Sequence, residues 1–152
     1  MKLITRSFLI AGLLGAAGFA QAAGNCTVAI KGDDAMKFDI KEATVSASCP
    51  TITIELTHTG KMPAAAMGHN VVVSATKDMD AVARDGIKAG VAGNYINKAD
   101  PRVIAATTLI GGGQKTKVTF PGKKLAVGGD YSFFCSFPGH SMLMKGKLTV
   151  TK

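Results

Sequence analysis

One ten-residue stretch near the C-terminus, Cys135-Ser-Phe-Pro-Gly-His140-Ser-Met-Leu-Met144, carries three side chains able to bind a soft or borderline metal. A thiolate is a soft anionic donor, an imidazole is intermediate, and a thioether is soft and weak. Two imidazoles and a thiolate, with a distant thioether on the axis, suit a copper ion that exchanges one electron. The stretch lacks the second imidazole. The chain has three histidines, which leaves His58 and His69. His69 is the better placed. It lies in Met67-Gly68-His69-Asn70, just before an apolar run, and so at a strand end that a loop from another strand can reach. Gly68 lets backbone come close to a ligand or ion. His58 closes an alternating segment and can instead be a half-buried, hydrogen-bonded histidine. Taken singly, a methionine is more often a gap-filler than a ligand. The combination of Cys135, His140 and Met144 around Pro138-Gly139 carries the reading. Pro138-Gly139 also argues against a helix here, so Cys135 and His140 converge through a turn.

The elements that must position these residues read mainly as strands. Segment 51–57 alternates most clearly, with Ile52, Ile54 and Leu56 on one face. Segments 26–30, 37–40, 115–120 and 145–150 alternate or nearly so, and 70–74 is a short apolar strand. Segment 131–134 runs straight into Cys135, and strand signal resumes near Arg102. Residues 77–90 differ: Met79, Val82 and Ala83 recur at helical spacing, Asp78 or Asp80 can serve the start, and Gly90 can end the helix. Many short strands with one helical insertion around 77–90 predict an all-β, Greek-key β-sandwich.

The first 22 residues read as a signal peptide. Lys2 and Arg6 precede an apolar run, and Ala20-Gln21-Ala22 fits a cleavage site. The run is too short to span a bilayer comfortably, and no later stretch is apolar enough. Residues 23–152 then form one domain. The whole chain carries a net charge of +8, of which the leader takes two positive charges. The lysines are scattered and no basic cluster is interleaved with aromatics, which argues against nucleic acid. The charge instead suits solubility and steering toward an acidic patch on a protein partner. Export also gives meaning to the odd count of three cysteines. The economical pairing is Cys26 with Cys49, leaving Cys135 for function. The alternative puts Cys135 in the bridge and leaves one of the others spare.

The segments Met67-Gly68-His69-Asn70 and Cys135 to Met144, with four residues between Cys135 and His140 and three between His140 and Met144, resemble those of the azurins. These are bacterial cupredoxins with a type 1 blue-copper site. The resemblance spans most of the chain after the leader, including Cys26, Cys49, the 78–90 helix region and Tyr95 through Arg102-Val-Ile-Ala105. It implies His69, Cys135 and His140 as strong copper ligands, Met144 as the weak axial ligand and the Gly68 carbonyl opposite it. It implies that Asn70 ties the two copper loops together, and that the backbone N–H groups of Asn70 and Phe137 point at the Cys135 sulfur. It implies a Cys26–Cys49 disulfide. It also implies that the His140 edge reaches the surface in an apolar patch, for which Met36, Met62, Met67, Phe137, Pro138 and Met142 are the matching or adjacent positions. The function implied is that of a periplasmic electron carrier, not an enzyme. It would be monomeric and meet redox proteins such as c-type cytochromes or copper-containing reductases in transient complexes.

Two departures stand out. The chain has no Trp, and Val71 follows Asn70 where some relatives bury one. Ala106 stands where some azurins carry a surface histidine. Three rival readings are weaker. A thiol enzyme using Cys135 needs oxyanion donors that no motif supplies. A copper buffer or chaperone tends to use more Met or Cys pairs. A structural zinc site leaves Met144 without a role.

Overall fold

The computed structural model describes residues 25–152. The expected signal peptide, 1–22, lies outside the described residues. Eight strands form two sheets. A three-stranded sheet has the order β1 (Thr27–Gly32), β3 (Thr51–His58), β6 (Lys115–Pro121), with β1 parallel and β6 antiparallel to the central β3. A five-stranded sheet has the order β2 (Glu42–Ser46), β8 (Lys145–Thr151), β7 (Tyr131–Phe134), β4 (Val72–Ala75), β5 (Ala105–Ala106). Only β2 and β8 are parallel in it. The architecture is the predicted all-β sandwich.

Side-chain alternation decides which residues meet between the sheets. Along β3 the inward phase is Ile52, Ile54, Leu56 and His58, all at most 1% exposed. These pack with Ile30 of β1 against Val45, Val73, Phe133, Leu148 and Val150 of the larger sheet. The apolar run at β4 has a different cause. Val71 and Val73 face the inter-sheet core, while Val72 and Phe134 face outward under α2 (Met79–Ile87), against Met79, Val82, Ala83 and Ile96. A strand buried on both faces loses its alternation. Arg102 pins α2 to the following loop through Asp85 and Asp100, each at 2.6 Å.

Several sequence expectations shift. The helical insertion begins as a 3-10 turn, Thr76–Asp78, and its α-helical part ends at Ile87. Asp78 occupies the N-cap position, but its side chain makes no capping hydrogen bond. Gly90 follows in the left-handed conformation, with φ +61°. Segment 37–40 is not a strand. Asp33 Oδ1 accepts the N–H groups of Ala35 and Lys37 and closes a turn, leaving Phe38 with a single bridge to Gly32. Strand β2 escapes a pattern search because its burial does not alternate, Val45 and Ser46 both being buried. Between Arg102 and β6, strand pairing is confined to Ala105–Ala106 and an isolated bridge at Ile110. A second short helix, α1 (Ala64–Met67), sits just before Gly68. Cys26 and Cys49 are disulfide-bonded, and Cys135 is the free cysteine among the described residues.

Candidate metal centre

Strand register brings the two sequence motifs together. Val72 pairs with Phe134 in the antiparallel β4–β7 ladder. The chain preceding β4 therefore runs beside the chain leaving β7, with Asn70 facing Ser136 and His69 near Cys135. The ten-residue stretch then folds back, because Phe134 pairs with Lys145 and the Cys135 N–H donates to the Met144 carbonyl at 2.9 Å. Its turn is closed by the His140, Leu143 and Met144 N–H groups, and Gly139 takes φ +83°.

The donor atoms of His69, Cys135 and His140 lie within 4.8 Å of one another, and all three residues are buried. Cys135 Sγ is 3.7 Å from His140 Nδ1 and 3.9 Å from the Gly68 carbonyl oxygen. Met144 is completely buried. Its methyl end and the His69 ring both back onto Gly32, where an added Cβ would come within 3.3 Å of Met144 Cε and 2.8 Å of His69 Cδ2. Gly68 is required by packing rather than by its backbone angles, which are ordinary at φ −70°. A Cβ there would run into the Ala64 carbonyl and Leu109.

Hydrogen bonding separates the histidines. His69 Nε2–H donates to the Asp33 carbonyl at 2.8 Å, so Nδ1 carries a lone pair. That Nδ1 is buried without a hydrogen-bond partner. Buried polar atoms are rarely left so, and this one faces a thiol and a second imidazole. His58, the other candidate for the second imidazole, has both nitrogens engaged by backbone. Gly60 N–H donates to its Nδ1 at 3.1 Å, and its Nε2–H donates to the Met67 carbonyl at 2.8 Å. It is completely buried rather than half-buried, and its ring stacks on His69 at 4.2 Å.

Electrostatics favour uncharged donors. Burial pushes the Cys135 thiol up to about 11, against the pull of the Asn70 and Phe137 backbone N–H groups on its sulfur. Burial, aided by repulsion from His69 and His58, lowers His140 to about 4. Burial also lowers His69, opposed by its bond to the Asp33 carbonyl. Two uncharged imidazoles and a thiol, with no carboxylate in the cluster, fit a borderline-to-soft ion that displaces the thiol proton. Copper meets that description.

Asn70 holds the two loops. Its Nδ2 donates to Ser136 Oγ and to the Asn94 carbonyl, both at 2.8 Å, and its Oδ1 accepts the Ser136 N–H at 2.8 Å. Sequence reasoning missed Ser136 and Asn94, although the pairing of strands 4 and 7 places Ser136 opposite Asn70. It also missed Asp33 and Gly32, which act through a backbone carbonyl and through lack of bulk. Around the mouth, His140 keeps 3% of its surface, and the Phe137 ring lies 4.5 Å from it. Met142 is 69% exposed, Met62 40%, and Pro138 is exposed, while Met36 and Met67 are half-buried. Leu143, absent from the expected patch, is 55% exposed.

A two-sheet sandwich with a Cys–His pocket at one end is a cupredoxin. The family model described as copper binding proteins, plastocyanin/azurin family, matches residues 24–151. The azurin of Alcaligenes faecalis is 54% identical over 123 residues, covering 81% of this chain and 96% of the relative. That of Pseudomonas fluorescens biotype A is 50% identical over 125 residues, covering 82% and 98%. Among solved structures, an azurin (Az-iso2) from the obligate methylotroph Methylomonas sp. strain J aligns with a TM-score of 0.80 at 38% identity, covering 84% of this chain and 98% of that one. The chain belongs to the plastocyanin/azurin family of copper-binding proteins.

Proposed function

We propose that the protein is a periplasmic carrier of single electrons, not an enzyme. In this reading His69 Nδ1, Cys135 Sγ and His140 Nδ1 are the close copper ligands. The buried Met144 thioether would be a weaker ligand, with the Gly68 carbonyl, 3.9 Å from Cys135 Sγ, close by. The observation that carries it is the unpartnered, buried Nδ1 of His69 beside Cys135 and His140. A copper ion held by this set supplies the Cu(I)/Cu(II) one-electron couple. The protein's part is to keep the donor atoms in place while the charge changes. His69, Cys135 and Met144 are completely buried in packed backbone, so their positions vary little. The Asn70 and Phe137 N–H groups spread the charge of the Cys135 thiolate and raise the potential.

The electron leaves through His140, the ligand nearest the surface. The Phe137 ring lies beside it, and in this reading the exposed Pro138, Met142, Leu143 and Met62, with the half-buried Met36 and Met67, would complete an apolar docking rim. A small apolar contact, with weak steering from the basic surface, permits brief docking and quick release. Flexible methionines suit more than one partner. Partners of this kind are c-type cytochromes and copper-containing reductases, met by a monomer. Among the described residues no helix is long and apolar enough to cross a membrane. Mixing the reduced, copper-loaded protein with a ferric c-type cytochrome tests the reading. Rapid second-order electron exchange, slowed by Met142→Glu with unchanged copper content, is expected. Failure to exchange electrons, with ready loss of copper to an added chelator, would mark a copper buffer.

A further inference from the structure

We infer that Asp34 is a positioning residue for the candidate ligand His69, acting through the peptide that joins Asp33 to Asp34; the inference rests on the ligand reading above. The carbonyl that accepts the His69 Nε2–H belongs to Asp33. A peptide group is planar, so the direction of that carbonyl is set jointly by the backbone of Asp33 and of Asp34. The turn 33–37 is closed on itself: Asp33 Oδ1 accepts the Ala35 and Lys37 N–H groups, and the Asp33 N–H reaches the Lys37 carbonyl. At its base the turn is joined to the sandwich by the Gly32–Phe38 bridge and by Thr59, whose N–H and Oγ1–H both reach the Gly32 carbonyl. The Asp33 carbonyl also accepts the Met36 N–H at 3.3 Å, and the Met36 side chain packs on the core.

Asp34 supplies a further tie, from the turn to the segment after β3. Its Oδ2 accepts the Lys61 N–H at 2.7 Å, and its Oδ1 accepts the Met62 N–H at 3.3 Å. The carboxylate lies so close over Gly60 that a Cβ there would overlap it. These N–H bonds, chiefly that of Lys61, hold the carboxyl below its ordinary range, so it remains a charged acceptor at neutral pH. Segment 58–62 also carries His58, whose ring stacks on His69. The carboxylate thus joins the turn that orients the His69 Nε2–H to the segment that supports the His69 face. A firm N–H···O=C bond fixes the tautomer of a ligating imidazole and raises its basicity. Loosening it weakens the donor, favours the cuprous form and raises the reduction potential.

The test compares Asp34→Ala and Asp34→Asn with the unsubstituted chain. Solvent exchange of the His69 Nε2–H, followed by NMR in the metal-free protein, reads the clamp without any metal. Asp34→Ala is expected to exchange roughly tenfold faster, the weight of about one hydrogen bond. Asp34→Asn, which keeps one acceptor oxygen, should fall between and carries the comparison should Asp34→Ala fail to fold. In the copper-loaded protein the potential should rise in the same order, with the His140 ring signals unmoved. Unchanged His69 exchange and unchanged potential, even with a lowered melting temperature, would overturn the inference. A colourless copper complex of the unsubstituted protein would instead overturn the ligand reading.

Discussion

Asn70 and Ser136 exchange two hydrogen bonds of 2.8 Å, side chain to hydroxyl in one direction and backbone N–H to side-chain carbonyl in the other. They join the loop that carries His69 to the loop that carries Cys135 and His140. Both residues are buried, so neither bond competes with bulk water. Asn70→Ala removes both, removes the bond to Asn94, and strands the Ser136 N–H. It should lower the stability of the metal-free protein by about 2–4 kcal/mol, whereas Ser136→Ala should cost about 1 kcal/mol. Denaturant unfolding measures both, and equal effects would mean that the backbone N–H bond carries no weight.

Metal uptake should release few protons. His140 is lowered to about 4 and His69 is lowered too, so at pH 7 both already offer a lone pair. Cys135, raised to about 11, is still a thiol. Binding then releases about one proton per ion at pH 7. Titrating copper into a weakly buffered, indicator-containing solution measures the number. Two or three protons would mean that the imidazoles are charged in the metal-free pocket.

The same shifts predict how stability of the metal-free protein varies with pH. His140 binds its proton more weakly folded than unfolded, so its contribution is present above its ordinary value of 6.5 and is lost as pH falls toward about 4. Cys135 binds its proton more tightly folded, so its contribution is present below its ordinary value of 9.0 and is lost as pH rises toward about 11. Stability should therefore peak between these limits. Urea midpoints across pH check it, and His140→Gln should flatten the acid limb.

Much of this arrangement is legible in the chain, for physical reasons. Cys135, His140 and Met144 are close in sequence, so their meeting requires only a turn. The alternation of Ile52, Ile54 and Leu56 gives the inward face of β3 directly. Other parts hide because they act without a distinctive side chain. Asp33 orients His69 through its backbone carbonyl, and Gly32 matters for the space it leaves. The burial of His58 follows once it is seen as the next inward residue after Leu56. Segment 37–40 misleads because Phe38 reaches the core from a turn.

If His69, Cys135, His140 and Met144 together hold copper, the ion is bonded to a thiolate. The most direct measurement is the visible spectrum of the purified protein as Cu(II) is added. An intense blue thiolate-to-copper band that saturates at one ion per chain and vanishes in Cys135→Ser is the predicted result. A colourless or pale cupric complex, or a blue band that survives Cys135→Ser, would contradict it.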